Sequence, residues 1–160
     1  MTRHRLTLLT LVFALAAPVV TTARPDVPFH ASIDTQPTIL GPCGPGCLAL
    51  EIPGSGQATQ LGRVTLAGPS RVDLVNATQT ATSTMTAANG DTLVLDIEGT
   101  VQFTGPGPAD PVNFSGSWTV LSGTGRFTHA SGSGSYTGSA AGPSGELTLT
   151  GSLSGIGGRR

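Results

Sequence analysis

The stretch Thr92–Phe103 alternates without a break between two sets of residues. Leu93, Leu95, Ile97, Gly99, Val101 and Phe103 form one set; Thr92, Val94, Asp96, Glu98, Thr100 and Gln102 form the other. Successive side chains of a strand point to opposite faces, so this order gives one dry face and one wet face. A helix would scatter the same apolar residues around its circumference. The stretch is therefore read as a half-buried strand, and a strand of this kind needs partners and a core.

The pattern recurs. Val112, Phe114, Gly116, Trp118 and Val120 alternate with Asn113, Ser115, Ser117 and Thr119. Leu147, Leu149, Gly151 and Leu153 alternate with Glu146, Thr148, Thr150 and Ser152. Between them, Gly132, Gly134, Tyr136, Gly138 and Ala140 alternate with a run of serines and Thr137. Alone, that run reads as a flexible Gly/Ser linker. Between two patterned strands it reads as a strand whose glycines permit close approach. Gln57–Ala67, Arg71–Asn76 and Thr80–Ala88 add three weaker strands. Turns are expected at Gly54-Ser55-Gly56, at Asn89-Gly90 (type I′), at Gly105–Pro108 and at Gly142–Gly145, with one short helical turn within Ser122–Phe127. No segment after residue 23 carries a helical period. The fold class is all-β, a single antiparallel barrel of about eight strands in up-and-down order.

Residues 1–23 have the three parts of a secretory signal peptide: Arg3, His4 and Arg5, then the apolar run Leu6–Ala17, then small residues at Thr21 and Ala23. Cleavage after Ala23 and a secreted or periplasmic location are expected, with no transmembrane anchor left behind. Residues 24–46, with Pro25, Pro28 and Pro37, are expected to be irregular apart from a short strand near Thr38–Leu40. The barrel is expected over 47–155 and a disordered tail over 156–160. Beyond residue 23 the chain has six arginines, no lysine and nine acidic residues, a net charge of −3. That composition offers no basic patch for nucleic acid or an anionic membrane. Without lysine, Schiff-base chemistry is excluded.

Few residues suggest chemistry. In Cys43-Gly44-Pro45-Gly46-Cys47, the turn can bring the two Cα atoms within bonding distance, so a structural disulfide is expected in an oxidising compartment. A redox pair or free thiols are the alternatives, and the spacing differs from Cys-x-x-Cys. Two thiols are too few for zinc, and no metal site or cofactor is expected. His129 follows a turn and is read as exposed; Asp96 and Glu98 lie on the wet face of their strand. No catalytic residue is assigned. Phe103, Phe114, Trp118 and Tyr136 carry most of the aromatic area on the dry faces. They line a ligand site if the barrel is hollow and fill it if it is not. Arg63 and Arg126 could each pair with a carboxylate at a barrel end or bind an anionic ligand.

Two stretches carry a family resemblance. Gly56–Arg63 resembles the first-strand motif of small bacterial barrels. Ser122-Gly123-Thr124-Gly125-Arg126-Phe127, followed by Ala130–Gly138, resembles their "GTGRF" hairpin, and Gly145–Leu153 looks like their final strand. These barrels are similar to the allene oxide cyclase and dirigent superfamily, and the resemblance covers roughly residues 47–155. It implies an eight-stranded barrel with a largely apolar cavity and room for a homo-oligomer. Some members of that superfamily cyclise or couple hydrophobic substrates. No cyclase catalytic residue maps onto this chain. The expected function is thus a non-enzymatic binder of a small apolar molecule or an interaction module. A cofactor-free cyclase or isomerase is the alternative.

Overall fold

Apolar faces on successive strands can all be buried together only if the sheet curls on itself, and it does. The structure is a computed structural model that describes residues 25–105 and 110–157. The expected leader, residues 1–23, lies outside the described residues. The strands are β1 (Val27–Thr35), β2 (Thr38–Gly44), β3 (Cys47–Glu51), β4 (Gly54–Ala58), β5 (Gly62–Ala67), β6 (Pro69–Asp73), β7 (Thr78–Ala87), β8 (Thr92–Phe103), β9 (Val112–Gly123), β10 (Ser131–Ala141) and β11 (Ser144–Ser154). A 3-10 turn, Gly125–Phe127, joins β9 to β10.

Eight strands close a ring in the order β7-β5-β4-β1-β11-β10-β9-β8 and back to β7, antiparallel throughout. β2, β3 and β6 prolong β1, β4 and β5, with the register kept across each junction and shifted only further along β2, at Ile39/Gly41 and Pro42/Gly44. Thr35 pairs with Gly54 and Thr38 with Glu51; Gly54 pairs with Leu66 and Glu51 with Pro69. The three prolongations overhang one end of the barrel as a raised wall. Its tip is the β2–β3 hairpin, bridged by the Cys43–Cys47 disulfide with Cα atoms 5.1 Å apart. The thiols are thus paired, as expected.

The two ends differ in content. One half is packed solid by Phe29, Leu93, Leu95, Trp118, Leu149 and Leu153, all nearly inaccessible. Trp118 meets Phe29 edge-on, ring centroids 5.2 Å apart. Its indole crosses Gly134, its partner on β10, towards Gly151 on β11, where an added Cβ would come within 2.7 Å of the ring. The indole N–H donates to the carbonyls of Ser135 (3.1 Å) and Thr150 (3.2 Å). Glycine here is a seat for an aromatic ring. Phe127, on the 3-10 turn, is also fully buried in this half. Its neighbour Arg126 fastens that turn to two others, donating to the Gln60 carbonyl (2.5 Å) and to Asp91 (3.2 Å).

Some expectations are corrected. Residues 24–46 are not irregular: Phe29, Ala31, Ile33 and Thr35 point inward and Pro28, His30, Ser32 and Asp34 outward. Pro28 sits near the strand start and Pro37 at the break before β2, so neither interrupts the β1 ladder. The barrel therefore begins at Val27, not residue 47. Gly54-Ser55-Gly56 is strand, not turn, because the inward glycines let β4 press against β1; a Cβ on Gly54 would come within 2.7 Å of the Asp34 carbonyl. Gln57–Ala67 is two strands, parted by a turn with positive φ at Gln60 (70°) and Gly62 (77°). At Asn89-Gly90 only Gly90 has positive φ (88°), and its N–H donates to the Ala87 carbonyl. The turn is therefore not type I′, which needs positive φ at both central residues. In the expected tail, Ile156 packs on the core and the Gly157 N–H donates to the Arg126 carbonyl (2.7 Å); residues 158–160 lie outside the described set.

Trp118→Ala should lower the unfolding free energy by about 3–5 kcal/mol in urea denaturation. A loss under ~1 kcal/mol would be incompatible with a central core position. Acid should loosen the closed end. Asn89 donates to the Asp91 carboxylate (3.0 Å) and Arg126 adds a second bond, so the Asp91 carboxyl is held below its ordinary value. A carboxyl lowered by folding stabilises the fold above its unfolded value, and that contribution disappears as pH falls through the folded value. Asp91→Asn should therefore flatten the acid limb of a melting temperature–pH profile below about pH 4; an unchanged limb would disprove the role.

Candidate functional site

The overhanging half is hollow. Inside it lies a cavity of about 250 Å³, open at the end where β2, β3 and β6 overhang. Its walls are mainly apolar: Leu48, Leu50 and Ile52 from β3 and the residue after it, Leu66 from β5, Ile97 and Val101 from β8, Leu147 from β11. The hollow has a simple cause. At this level the ring carries Ala81 and Ser83 on β7 and Ala140 on β10, where the closed half carries leucines and Trp118. Eight strands set the circumference, so small inward residues leave space that the backbone cannot remove.

The cavity gathers the buried polarity of the domain. Among the described residues, the buried polar side chains are Thr35, Ser70, Gln79 and Ser83, and all four line it. Gln79 Nε2 donates to Ser70 Oγ (3.0 Å). Gln79 Oε1 and the Tyr136 hydroxyl are buried with no hydrogen-bond partner in the protein. The two belong to one row across the wall: Gln79 pairs with Gly99, Gly99 with Gly116, and Gly116 with Tyr136. Tyr136 reaches over Gly116 so that its hydroxyl occupies the space a Cβ on Gly99 would need. Burial pushes the Tyr136 hydroxyl up to about 12, so near neutral pH it is a proton donor and not a base.

Asp110 and Tyr136 are the ionisable residues lining the cavity; no arginine or histidine reaches it among the described residues. At the mouth, Ile39, Leu74 and Phe103 are exposed at 64, 43 and 48 %. Leu40 and Val75, exposed at 64 and 79 %, continue this apolar rim on β2 and on the turn after β6. No group of three or more His, Cys, Asp or Glu residues that could hold a metal ion occurs among the described residues.

The residues singled out from sequence are not brought together as one site. Tyr136 lines the cavity floor and Phe103 its mouth. Trp118 lies in the packed half, because its indole is laid along the wall on Gly134 and Gly151 and is not directed at the hollow. Arg63 points outward from β5 and is exposed, since it occupies a wet-face position between Gly62 and the buried Val64. His129 is exposed on the β9–β10 connection, and Asp96 and Glu98 lie on the outer face of β8. Sequence reading passed over Gln79 and Ser70. On β7 both faces are small or polar, and the one usable signal was the threonine column Thr78, Thr80, Thr82, Thr84 and Thr86, which marks the outside and so puts Gln79, Ala81, Ser83 and Met85 within.

A scan against models of protein families and a search of curated proteins returned no match.

Deleting an unpartnered hydroxyl from an apolar cavity removes a desolvation cost. Tyr136→Phe should therefore leave the ligand-free barrel equally stable, or more stable by up to about 1 kcal/mol, in urea denaturation. A loss above ~2 kcal/mol would mean that the hydroxyl has a partner within the fold.

Proposed function

We propose that the protein is exported and that its barrel carries one small, mainly apolar molecule without transforming it. The observation that supports carriage is the open cavity of about 250 Å³ walled by leucine, isoleucine and valine. A barrel meant only as a structural unit gains most by filling its interior, since a void forfeits packing contacts. The apolar rim of Ile39, Leu74 and Phe103 gives such a molecule a dry path to the mouth. Export rests on the leader pattern of residues 1–23 and agrees with an oxidised Cys43–Cys47 pair.

A distant relation to the allene oxide cyclase and dirigent barrels rests on the hairpin and final-strand motifs. The cofactor-free cyclase or isomerase reading has Tyr136 in its favour, a phenol on a residue that lines the cavity. Against it stand the raised value of that hydroxyl and the lack, among the described residues, of any cationic side chain on the cavity wall. Without such a cation, an oxyanion would find few groups to stabilise it.

Native mass spectrometry of protein purified from its own host tests both parts. The expected mass is that of a chain starting at Arg24 plus one small non-covalent adduct. Ala140→Trp, which places an indole in the upper cavity, should abolish the adduct while the barrel keeps its circular dichroism. A chain retaining Met1, or an adduct indifferent to the substitution, would overturn export or carriage respectively.

A further inference from the structure

Two apolar surfaces meet at the mouth, the wall of the hollow and the exposed rim, and together they are longer than the hollow itself. Resting on the carriage reading above, we propose that the ligand is an aliphatic amphiphile that enters hydrocarbon end first. Its inner carbons fill the cavity, the next few lie on the rim of Ile39, Leu74 and Phe103, and its polar end, outside, bears no negative charge.

What an occupant can touch decides the chemistry of its inner end. The polar side chains Thr35, Ser70, Gln79, Ser83 and Tyr136 belong to the wall but are each 7 % exposed or less. Gln79 Oε1 and the Tyr136 hydroxyl are closed off even from water. The lining side chains that keep more of their surface open include Leu48, Leu50, Ile52, Val72, Val112 and Phe114, all of them hydrocarbon. A polar group brought into the hollow would lose its water and find few partners, a cost that a methylene chain avoids. The inner end is therefore hydrocarbon.

The rim bears on length. Ile39, Leu74 and Phe103 line the same cavity and yet are largely exposed. An occupant confined to the hollow would leave them in water, and an exposed apolar patch of this kind marks a binding surface. A chain that fills the hollow and continues across the rim covers both. At the ~30 Å³ that a water-sized unit fills in a liquid, the hollow takes about eight carbons. Charge restricts the outer end. Among the described residues no arginine or histidine lines the cavity, whereas Asp110 does. An anionic head at the mouth would face a carboxylate beside apolar walls, with no cation on the lining to offset it.

Calorimetric titration of the mature protein with alkyl maltosides from butyl to dodecyl, below their micelle-forming concentrations, tests the assignment. Affinity should rise about threefold per added carbon up to about octyl, and by less than about twofold per carbon beyond it. Ile39→Ser combined with Leu74→Ser should remove the gain beyond octyl and leave the shorter chains unaffected. Ala140→Leu, which adds hydrocarbon to the wall, should move the break down by about three carbons. Octyl sulfate should bind about fivefold more weakly than octyl maltoside in dilute salt, and Asp110→Asn should bring the two within about twofold. Thermal melting checks that each variant is folded. A constant gain per carbon through dodecyl, or no gain at all, would overturn the seated chain and leave carriage standing. So would a break that a folded Ala140→Leu leaves in place, or a gain beyond octyl that survives loss of the rim. Octyl sulfate binding as tightly as the maltoside would overturn the exclusion of an anionic end. Failure of every probe to bind would overturn carriage itself.

Discussion

A closed ring of eight strands has a fixed interior, and everything distinctive about this protein follows from how that interior is filled along its length. The backbone cannot contract where side chains are small or expand where they are large. Leucines, Phe29, Phe127 and Trp118 fill one half to the limit. Alanine and serine leave the other half open at the same circumference. The cavity is thus a difference in side-chain volume between two levels of one barrel. It needs no special loop, insertion or second domain.

Glycine has two uses within this scheme. Under Trp118 it lets a large ring lie against the wall, with both backbone carbonyls within reach of the indole N–H. Under Tyr136 it lets the phenol extend sideways across β9 to β8, which carries a hydroxyl from its own strand towards the side chains of β7. The second arrangement carries the hydroxyl two strands across, to Gly99, the partner of Gln79 on the ladder. Alternation alone cannot convey that, because it fixes the face of a residue and not the distance its side chain travels along that face.

This also explains what the sequence disclosed. β8 was read to its correct limits and β9–β11 to within a few residues, because their inward residues are apolar or glycine and their outward residues polar. β1 has an equally clean alternation of Phe29, Ala31 and Ile33 against His30, Ser32 and Asp34, but its prolines drew attention to irregularity. Both prolines occupy places a strand tolerates. β4 was hidden by glycines that mark close packing and not a turn. Of the site, the aromatic members Tyr136 and Phe103 were visible because large residues on a dry face stand out. Gln79 and Ser70 were not, because an inward polar residue on a strand with two polar faces has nothing to contrast with. The barrel's strongest sequence signals therefore come from its packed half, and its hollow half is written in residues that carry little signal.

The ladder between β1 and β11 runs the whole length of β1, from Val27 opposite Leu153 to Thr35 opposite Gly145. Every other seam of the ring joins strands close in the chain, whereas this one joins its two ends. A chain made from its N-terminus therefore presents β1 with one edge unpaired until β11 has emerged. Closure of the ring is a late, long-range event with the largest loop to gather, and long-range strand pairing is slow. Until then β1, β4 and the strands that follow form an open curled sheet with an exposed hydrophobic edge, the kind of surface that invites pairing with another chain. The barrel's resistance to aggregation is consequently acquired all at once, when β11 arrives.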